Sequence, residues 1–446
     1  MSGIALVAHK RGITVTGSDL KESRYMRALI RDGVAVEVGH DARHMSDPTI
    51  EVVVVSTAIP DNNPELIEAQ RRGLEIWPRA RMLAYLAVGK KTLAVSGTHG
   101  KTTTSSMLAS TLDRLKTMPT FLIGGVVDGY DSTACAGNGE YFVVEADESD
   151  GSFTFLDPDV EIVTNIEADH LDHYADLAEI ERSFADFMAK LLIGGTLVVC
   201  ADSPGLIDLA IASGKTFISY GLGEKADVRC FPHEDQSFSV LFADGEKVTL
   251  RLMASPGLHN MLNATAVMAV LDILGHGRQQ SAEALAQFSG VRRRFDRIGT
   301  LQGITVVDDY GHHPTEIKAT LQAALTLDFK RVHVLFQPHR YSRTQALIND
   351  FGSAFKAADS VTFMDIYSAG EMPIPGVTGD LLVEAVLKED PGASVRLVER
   401  RSHVPAVMAQ LAQPGDLIIT MGAGDVTAMA PLILEELAKT REDVCE

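Results

Sequence analysis

Residues 95–104 read Val-Ser-Gly-Thr-His-Gly-Lys-Thr-Thr-Thr. The apolar run 92–95 predicts a strand, the glycines a turn, and residues 102–115 a helix. Backbone N–H groups in such a turn converge on a phosphate, and the positive end of the helix dipole favours the same anion. In this pattern Gly97, Thr98, His99 and Gly100 form the loop and Lys101 reaches the terminal phosphates of a nucleotide. The Thr102 hydroxyl, with Thr103 behind it, takes a magnesium position. Val95 stands where the common phosphate loop carries a glycine, so the loop reads as a short variant. The alternative is an ordinary strand-to-helix turn, and the Gly-Lys-Thr in strand–turn–helix context favours the nucleotide.

The rest of the chain sets the frame for that loop. A length of 446 residues exceeds one typical core and predicts two to three domains. Hydrophobic residues make up 46% and charged residues 22%, the balance of a globular protein. The net charge of −20 argues against a nucleic-acid surface and requires local cations or metal for any polyanionic substrate. There is no apolar stretch long enough to span a bilayer and no cationic leader, which predicts a cytoplasmic protein working off the membrane. Cys135, Cys200, Cys230 and Cys445 lack metal-ligand spacing and suit reduced thiols.

Short apolar runs at 52–55, 141–145, 162–164, 197–200, 304–307, 332–336, 361–364 and 417–420 alternate with helical patterns. That alternation predicts an α/β protein with mostly parallel sheets. Residues 228–252 interrupt it, reading as two alternating strands around Asp244-Gly245, a small antiparallel β element. Boundaries at Gly89-Lys90-Lys91 and Arg292-Arg293-Arg294 divide the chain into units 1–90, 91–296 and 297–446. Residues 2–12 predict a helix and 13–16 a strand, followed by Gly17-Ser18-Asp19-Leu20. An acidic residue after a second strand is the ribose-side element of a dinucleotide-type fold. Ser18 and Asp19, with Ser56 and Thr57 beyond the run 52–55, are this unit's candidate substrate-binding residues. The first strand and glycine turn that should precede the helix do not occur, so the unit reads as Rossmann-like without its first strand.

Several further clusters are dense in reactive groups. Glu145 ends the run 141–145 and heads the acidic stretch Ala146-Asp147-Glu148-Ser149-Asp150. A carboxylate at a strand end beside a phosphate loop is where magnesium needs an oxygen ligand; the strand fixes Glu145, whereas the residues after it read as a solvated loop. Residues 164–173, Thr-Asn-Ile-Glu-Ala-Asp-His-Leu-Asp-His, follow another strand, and His170 is a candidate ligand for a second ion or a surface histidine. Asn260 and Asn263 share one helix face and suit a nucleotide, although Asn260 alone also fits an N-cap. Arg294 belongs either to a solvated hinge or to a phosphate contact. Asp308-Asp309-Tyr310-Gly311-His312-His313-Pro314 places paired carboxylates and histidines at a βα turn. In Gln337-Pro338-His339-Arg340-Tyr341-Ser342-Arg343, Arg340 and Arg343 form a carboxylate fork at i, i+3.

Taken in order, seven of these runs resemble the Mur ligase family: 96–103, 145–150, 165–170, 256–263, 293–295, 308–314 and 337–343. Any one is weak, but the ordered set, reaching from about Ser2 to Gly424, is specific. The resemblance implies three domains: a Rossmann-like UDP-sugar-binding domain, a central P-loop ATPase-like domain and a Rossmann-like α/β domain for the amino acid. It also implies a reaction in peptidoglycan precursor synthesis. ATP phosphorylates the lactyl carboxylate of UDP-N-acetylmuramate, and the amine of L-alanine attacks the acyl phosphate to form an amide. By motif position Lys101 holds the terminal phosphates, Thr102 and Glu145 hold Mg2+, and His170 belongs to a second-metal region. Asn260, Asn263, Arg294 and Asp309 meet the nucleotide, while Tyr310, His312, Arg340 and Arg343 surround alanine and the reacting carboxylate. Several relatives carry a carbamylated lysine after the His170 segment; no lysine lies between His170 and Lys190, which favours the alanine-adding branch. The family's glycine-rich turn normally precedes the Met-Ser-Gly-Ile-Ala found at residues 1–5, which predicts weak UDP-sugar affinity.

The physics suits that chemistry. A carboxylate attacking a triphosphate brings like charges together, so cations and metal at the transferring group are the main requirement. Acyl phosphates hydrolyse readily, which favours a cleft closed against water by more than one domain. The rivals are a ligase that recycles a whole peptide onto the same UDP-sugar and, in another class, a non-catalytic nucleotide-binding switch. The clusters at 308–313 and 340–343 speak against the switch, which has no use for an amine-acceptor pocket.

Overall fold

The computed structural model describes residues 1–439 apart from 128, 150 and 170–173. The chain folds as two compact units, one of Met1–Cys230, Val240–Val248 and Asn263–Leu285, the other of Phe231–Ser239, Thr249–Leu262 and the residues from Ala286 onward.

At the start of the first unit, β1 (Thr16–Asp19) pairs in parallel with β2 (Ala35–Val38), and β3 (Val52–Val55) with β4 (Glu75–Pro78). Each pair is its own two-stranded sheet, in place of one continuous sheet. The helix Ser2–Lys10 forms as its pattern predicts, but the strand after it starts at Thr16 and not at residue 13. Gly12, at φ +84°, closes the helix with its N–H on the His9 carbonyl at 2.9 Å, and the Ile13 N–H reaches the Ala8 carbonyl at 3.1 Å. That left-handed stop uses up residues 11–13.

The chain then builds a large sheet from β5 (Lys91–Ser96), β6 (Thr120–Val127), β7 (Ser132–Cys135), β8 (Tyr141–Glu145), β9 (Val160–Val163), β10 (Thr196–Cys200), β11 (Phe217–Gly221), β12 (Val228–Pro232), β13 (Ser237–Leu241) and β14 (Lys247–Arg251). The order across it is β14-β13-β12-β11-β10-β9-β5-β8-β6-β7. From β12 through β6 the strands pair in parallel, and β7 runs antiparallel at the edge. Parallel strands need both faces covered, which is why β8 reads as the apolar run 141–144 before Glu145 and why even Glu161 on β9 is buried. The N-terminal helix docks at the β6–β7 edge: a Cβ on Gly3 would lie 2.8 Å from Leu122 and 3.0 Å from Ala134, so a larger residue there would have to displace the Leu122 side chain.

The stretch 228–252 holds three strands, where its alternation had predicted two. The Asp244-Gly245 turn lies between β13 and β14 as expected, with Gly245 at φ +89°. The earlier turn, closed by the His233 N–H on the Ser237 carbonyl at 2.9 Å, places Gln236 at φ +66°. A left-handed glutamine carries none of the Gly or Asn signal that marks a turn in a sequence.

The second unit centres on a six-stranded sheet of β15 (Asp296–Leu301), β16 (Ile304–Asp309), β17 (Val332–Phe336), β18 (Ser360–Phe363), β19 (Val395–Leu397) and β20 (Leu417–Met421), ordered β15-β16-β20-β17-β18-β19. All pairings are parallel except β15 with β16. Alternate residues feed two cores: Val307, Val334, Phe336 and Ile419 pack on one face, Val306, Leu335 and Ile418 on the other. Full burial of each such side chain contributes about 1.5–3 kcal/mol. In both units the loops after the parallel strands emerge on one edge, and there α/β sheets bind their ligands.

Candidate active site

In the first unit β8, β5 and β9 are neighbours, so the segments following their C-terminal ends come together. The segment after β5 is the loop 97–100, which leads into the helix Lys101–Arg114. Gly97 sits at φ +126°, and a Cβ there would lie 2.1 Å from the Thr164 hydroxyl oxygen. Gly100 sits at φ +85° against Asn263, whose Oδ1 would be 3.0 Å from a Cβ. Both glycines are needed for conformation and for space.

The segment after β9 staples the loop's shape. The Thr98 N–H donates to the Asn165 carbonyl at 2.9 Å, and the His99 N–H to Asn165 Oδ1 at 2.9 Å. In return Asn165 Nδ2 and the Thr164 hydroxyl donate to the His99 carbonyl at 3.0 and 2.5 Å. Gly100 is the N-cap of the following helix and no side chain caps it. The first-turn N–H groups and the dipole therefore favour an anion there.

Lys101 Nζ donates to Glu148 Oε1 at 2.8 Å and to the Gly97 carbonyl at 2.7 Å. Burial works against its ammonium, but Glu148, Asp147 and Glu145 outweigh that and hold the group above its ordinary value. Glu148 is itself buried, and burial pushes it up to about 7 although Lys101 pulls the other way. Thr102 Oγ1 donates to Glu145 Oε1 at 2.8 Å, while Glu145 Oε2 accepts the Gly124 N–H at 2.6 Å. A hydroxyl and a carboxylate side by side are hard oxygen donors of the kind magnesium takes. Thr103 is buried in the helix behind them. His99 Nε2 lies 3.5 Å from Glu167 Oε2. His170 lies outside the described residues.

In the second unit the loops after β16 and β17 carry the other candidates. The Tyr310 ring is flanked by the guanidinium groups of Arg293 and Arg294, at 4.8 and 4.9 Å from its centroid. Asp309 is buried, with Oδ2 accepting the Phe295 N–H and Oδ1 the Gly311 N–H, each at 2.8 Å. Burial raises its pKa above the ordinary carboxylate value, with Arg294 opposing. Those bonds give Asp309 the work of setting both turns beside Tyr310. His312 Nδ1 lies 3.3 Å from Glu316 Oε2, and its ring stands 6.0 Å from that of His339. Arg294 Nη1 is 3.5 Å from Glu316 Oε1. Arg340 Nε is 3.0 Å from Glu371 Oε1, and Arg343 Nη1 is 3.3 Å from His339 Nδ1. Burial, then Arg343 and Arg340, hold His339 down to about 4, so its imidazole is neutral at neutral pH. Asn260 lies inside the helix Leu258–Ile273 and is not its N-cap; its Nδ2 donates back to the Pro256 carbonyl at 2.9 Å.

Of the N-terminal candidates, Ser18 donates to Glu65 Oε2 at 2.7 Å and lies 2.9 Å from His40 Nδ1. Asp19 is exposed and accepts the Lys21 N–H at 3.3 Å. Ser56 and Thr57 follow β3, in a different sheet from Ser18 and Asp19. The structure thus joins the phosphate loop to Thr102 and Glu145, and Arg294 to Tyr310 and His312. It also adds Glu148, Thr164, Asn165, Arg293, His339 and Glu371, none of which was singled out from the sequence. The expectation of a solvated loop after Glu145 is corrected at Glu148, which is buried because Lys101, 47 residues earlier, donates to it.

The two edges define a nucleotide-site α/β protein with a cationic, histidine-rich second site. Comparison with known proteins agrees with that class. The chain matches the Mur ligase family catalytic domain over residues 1–91, the Mur ligase middle domain over 95–271 and the Mur ligase glutamate ligase domain over 293–424. It is 46% identical to the UDP-N-acetylmuramate–L-alanine ligase of Acidothermus cellulolyticus, covering 98% of this chain and 93% of that one. The enzyme of the same name from Syntrophotalea carbinolica is 45% identical, with 98% and 95% covered. Among solved structures, the UDP-N-acetylmuramate-alanine ligase of Thermotoga maritima superimposes with a TM-score of 0.81 at 28% identity, over 99% of this chain and 97% of that one. A murein peptide ligase from Psychrobacter arcticus gives 0.70 at 26% identity, over 98% and 96%. The chain belongs to the Mur ligase family.

Proposed function

We propose that this chain is an ATP-dependent ligase that adds L-alanine to UDP-N-acetylmuramate in cytoplasmic peptidoglycan precursor synthesis. The observation that carries this reading is identity of 45–46% to two alanine ligases over 98% of the chain. The phosphate-loop geometry supports it. The domain roles we assign are UDP-sugar binding to 1–90, ATP binding to 91–296 and amino-acid binding to 297–446.

In this reading a lactyl carboxylate oxygen attacks the γ-phosphorus of ATP and ADP leaves. The alanine nitrogen then attacks the acyl carbon, phosphate departs, and the nitrogen loses a proton as the amide forms. Gly97, Thr98, His99, Gly100 and Thr103 cradle the phosphates, and Lys101 leaves Glu148 to neutralise the terminal one. Thr102 and Glu145, 2.8 Å apart, are the residues that would hold Mg2+, which supplies charge neutralisation at the transferring group when bound. His170 is proposed for a second ion by motif position alone. Asn260, Asn263, Arg294 and Asp309 serve the nucleotide side, and Ser18, Asp19, Ser56 and Thr57 the UDP-sugar. Tyr310, His312, Arg340 and Arg343 receive the amino acid, Arg340 and Arg343 meeting its carboxylate.

ADP release measured with UDP-N-acetylmuramate and, in turn, L-alanine, glycine, L-serine, a tripeptide or no acceptor tests the reading. Turnover with L-alanine well above the others is expected, and Lys101→Ala lowers kcat/KM for ATP by about a hundredfold or more. Turnover only with the tripeptide would assign a recycling ligase. Turnover with no acceptor dependence would sink ligation altogether.

A further inference from the structure

The turn after β17 presents His339 and Arg340 and opens the short helix Tyr341–Ala346. Arg340 is the N-cap of that helix, sits at φ +70° and has no capping hydrogen bond from its own side chain. A non-glycine residue in that region is held there at a cost of about 1 kcal/mol or more, so the turn needs fastening from outside. The fastening comes from residues 367–371. Glu371 Oε2 accepts the Ser342 N–H at 3.1 Å, and Oε1 accepts the Ser342 hydroxyl at 2.6 Å and faces Arg340 Nε at 3.0 Å. Backbone bonds close the same clasp: Arg340 N–H to the Tyr367 carbonyl and Tyr367 N–H to the Pro338 carbonyl, each at 2.8 Å. The Tyr367 ring stacks on His339, with centroids 5.6 Å apart and planes at 14°.

We propose that Glu371 is a positioning residue of the amino-acid site: its carboxylate fixes the Arg340 guanidinium for the acceptor's carboxylate without touching that acceptor. The inference rests on the reading above, in which Arg340 meets that carboxylate. The two bonds from Ser342 hold the carboxylate in place whatever Arg340 binds. A carboxylate that merely occupied Arg340 until the amino acid arrived would have the opposite effect on affinity.

Glu371→Gln keeps the size and one acceptor oxygen for Ser342 but removes the charge facing Arg340. Its KM for L-alanine is expected to rise about tenfold, with kcat and the KM for ATP within about twofold of the parent. In an Arg340→Lys background the same change adds less than about twofold, because the two residues act as one unit. Ser342→Ala, a gentler change, raises the KM for L-alanine about threefold with the same split, and decides alone if Glu371→Gln does not fold. An unchanged or lowered KM for L-alanine, equal rises for L-alanine and ATP, or full additivity with Arg340→Lys would each overturn the inference. If the unmodified chain releases no ADP in response to L-alanine, the reading beneath falls and takes the inference with it.

Discussion

Glu161 shows how far a single residue can depart from what its type predicts. It lies on β9, wholly buried, with the Ser96 hydroxyl donating to Oε1 at 3.2 Å. Burial pushes its carboxyl up to about 8, against the pull of Ser96 and Lys215. The unfolded chain releases that proton near the ordinary value of 4.5, whereas the fold retains it to about 8. Between those values the folded state binds more protons, so its stability falls as pH rises through the window. From pH 5 to pH 8 the native chain should lose on the order of 3 kcal/mol more than Glu161→Gln, read from denaturant midpoints. Parallel slopes for the two proteins would refute it. Glu161 and Glu148 are alike in a sequence scan and unlike Glu145 only by position. Which carboxylate is buried, and which meets Lys101, depends on chain segments tens of residues away.

Among the elements, the hairpin of β13 and β14 depends on one side chain outside it. Arg278 Nη1 reaches Asp244 Oδ2 at 2.7 Å and Glu246 Oε2 at 2.8 Å, and its Nε reaches Asp272 Oδ1 at 2.7 Å. Its guanidinium also lies 4.0 Å from the Phe242 ring centroid. The planar fork and the stacked face act together, so Arg278→Lys keeps charge but loses geometry. Arg278→Ala should lower the thermal midpoint by about 2–4 °C, and Arg278→Lys should recover less than half of that. Equal midpoints for all three proteins would show the clasp to be idle. At this scale the strands over 141–145, 304–307 and 332–336 were legible, because strands buried on both faces leave mainly apolar runs. The turn at Gln236 was not, because its backbone angle comes from hydrogen bonds and not from residue type, and β1 starts later than expected because the stop at Gly12 uses up residues 11–13.

Charge acts on the whole molecule. A net −20 repels ATP and the UDP-sugar at a distance, before Lys101 or the arginines near Tyr310 are felt. Raising salt from 10 to 150 mM shortens the screening length from about 30 to about 8 Å and should raise kcat/KM for ATP about two- to fivefold at constant free magnesium. A fall over that range would mean that local cations govern the approach. By itself the sequence determined the α/β class and the strand, glycine turn and helix that carry Lys101 and Thr102. It also determined the order of motifs that resembles the Mur ligases. All of these are local: period, turn chemistry and spacing along a few residues. The tertiary structure alone decided that Thr164 and Asn165 shape the phosphate loop, that Glu148 holds Lys101 and that Glu371 fastens Arg340. Each pairing joins segments that only sheet order or loop packing brings within hydrogen-bond reach, and no periodicity along the chain encodes that distance.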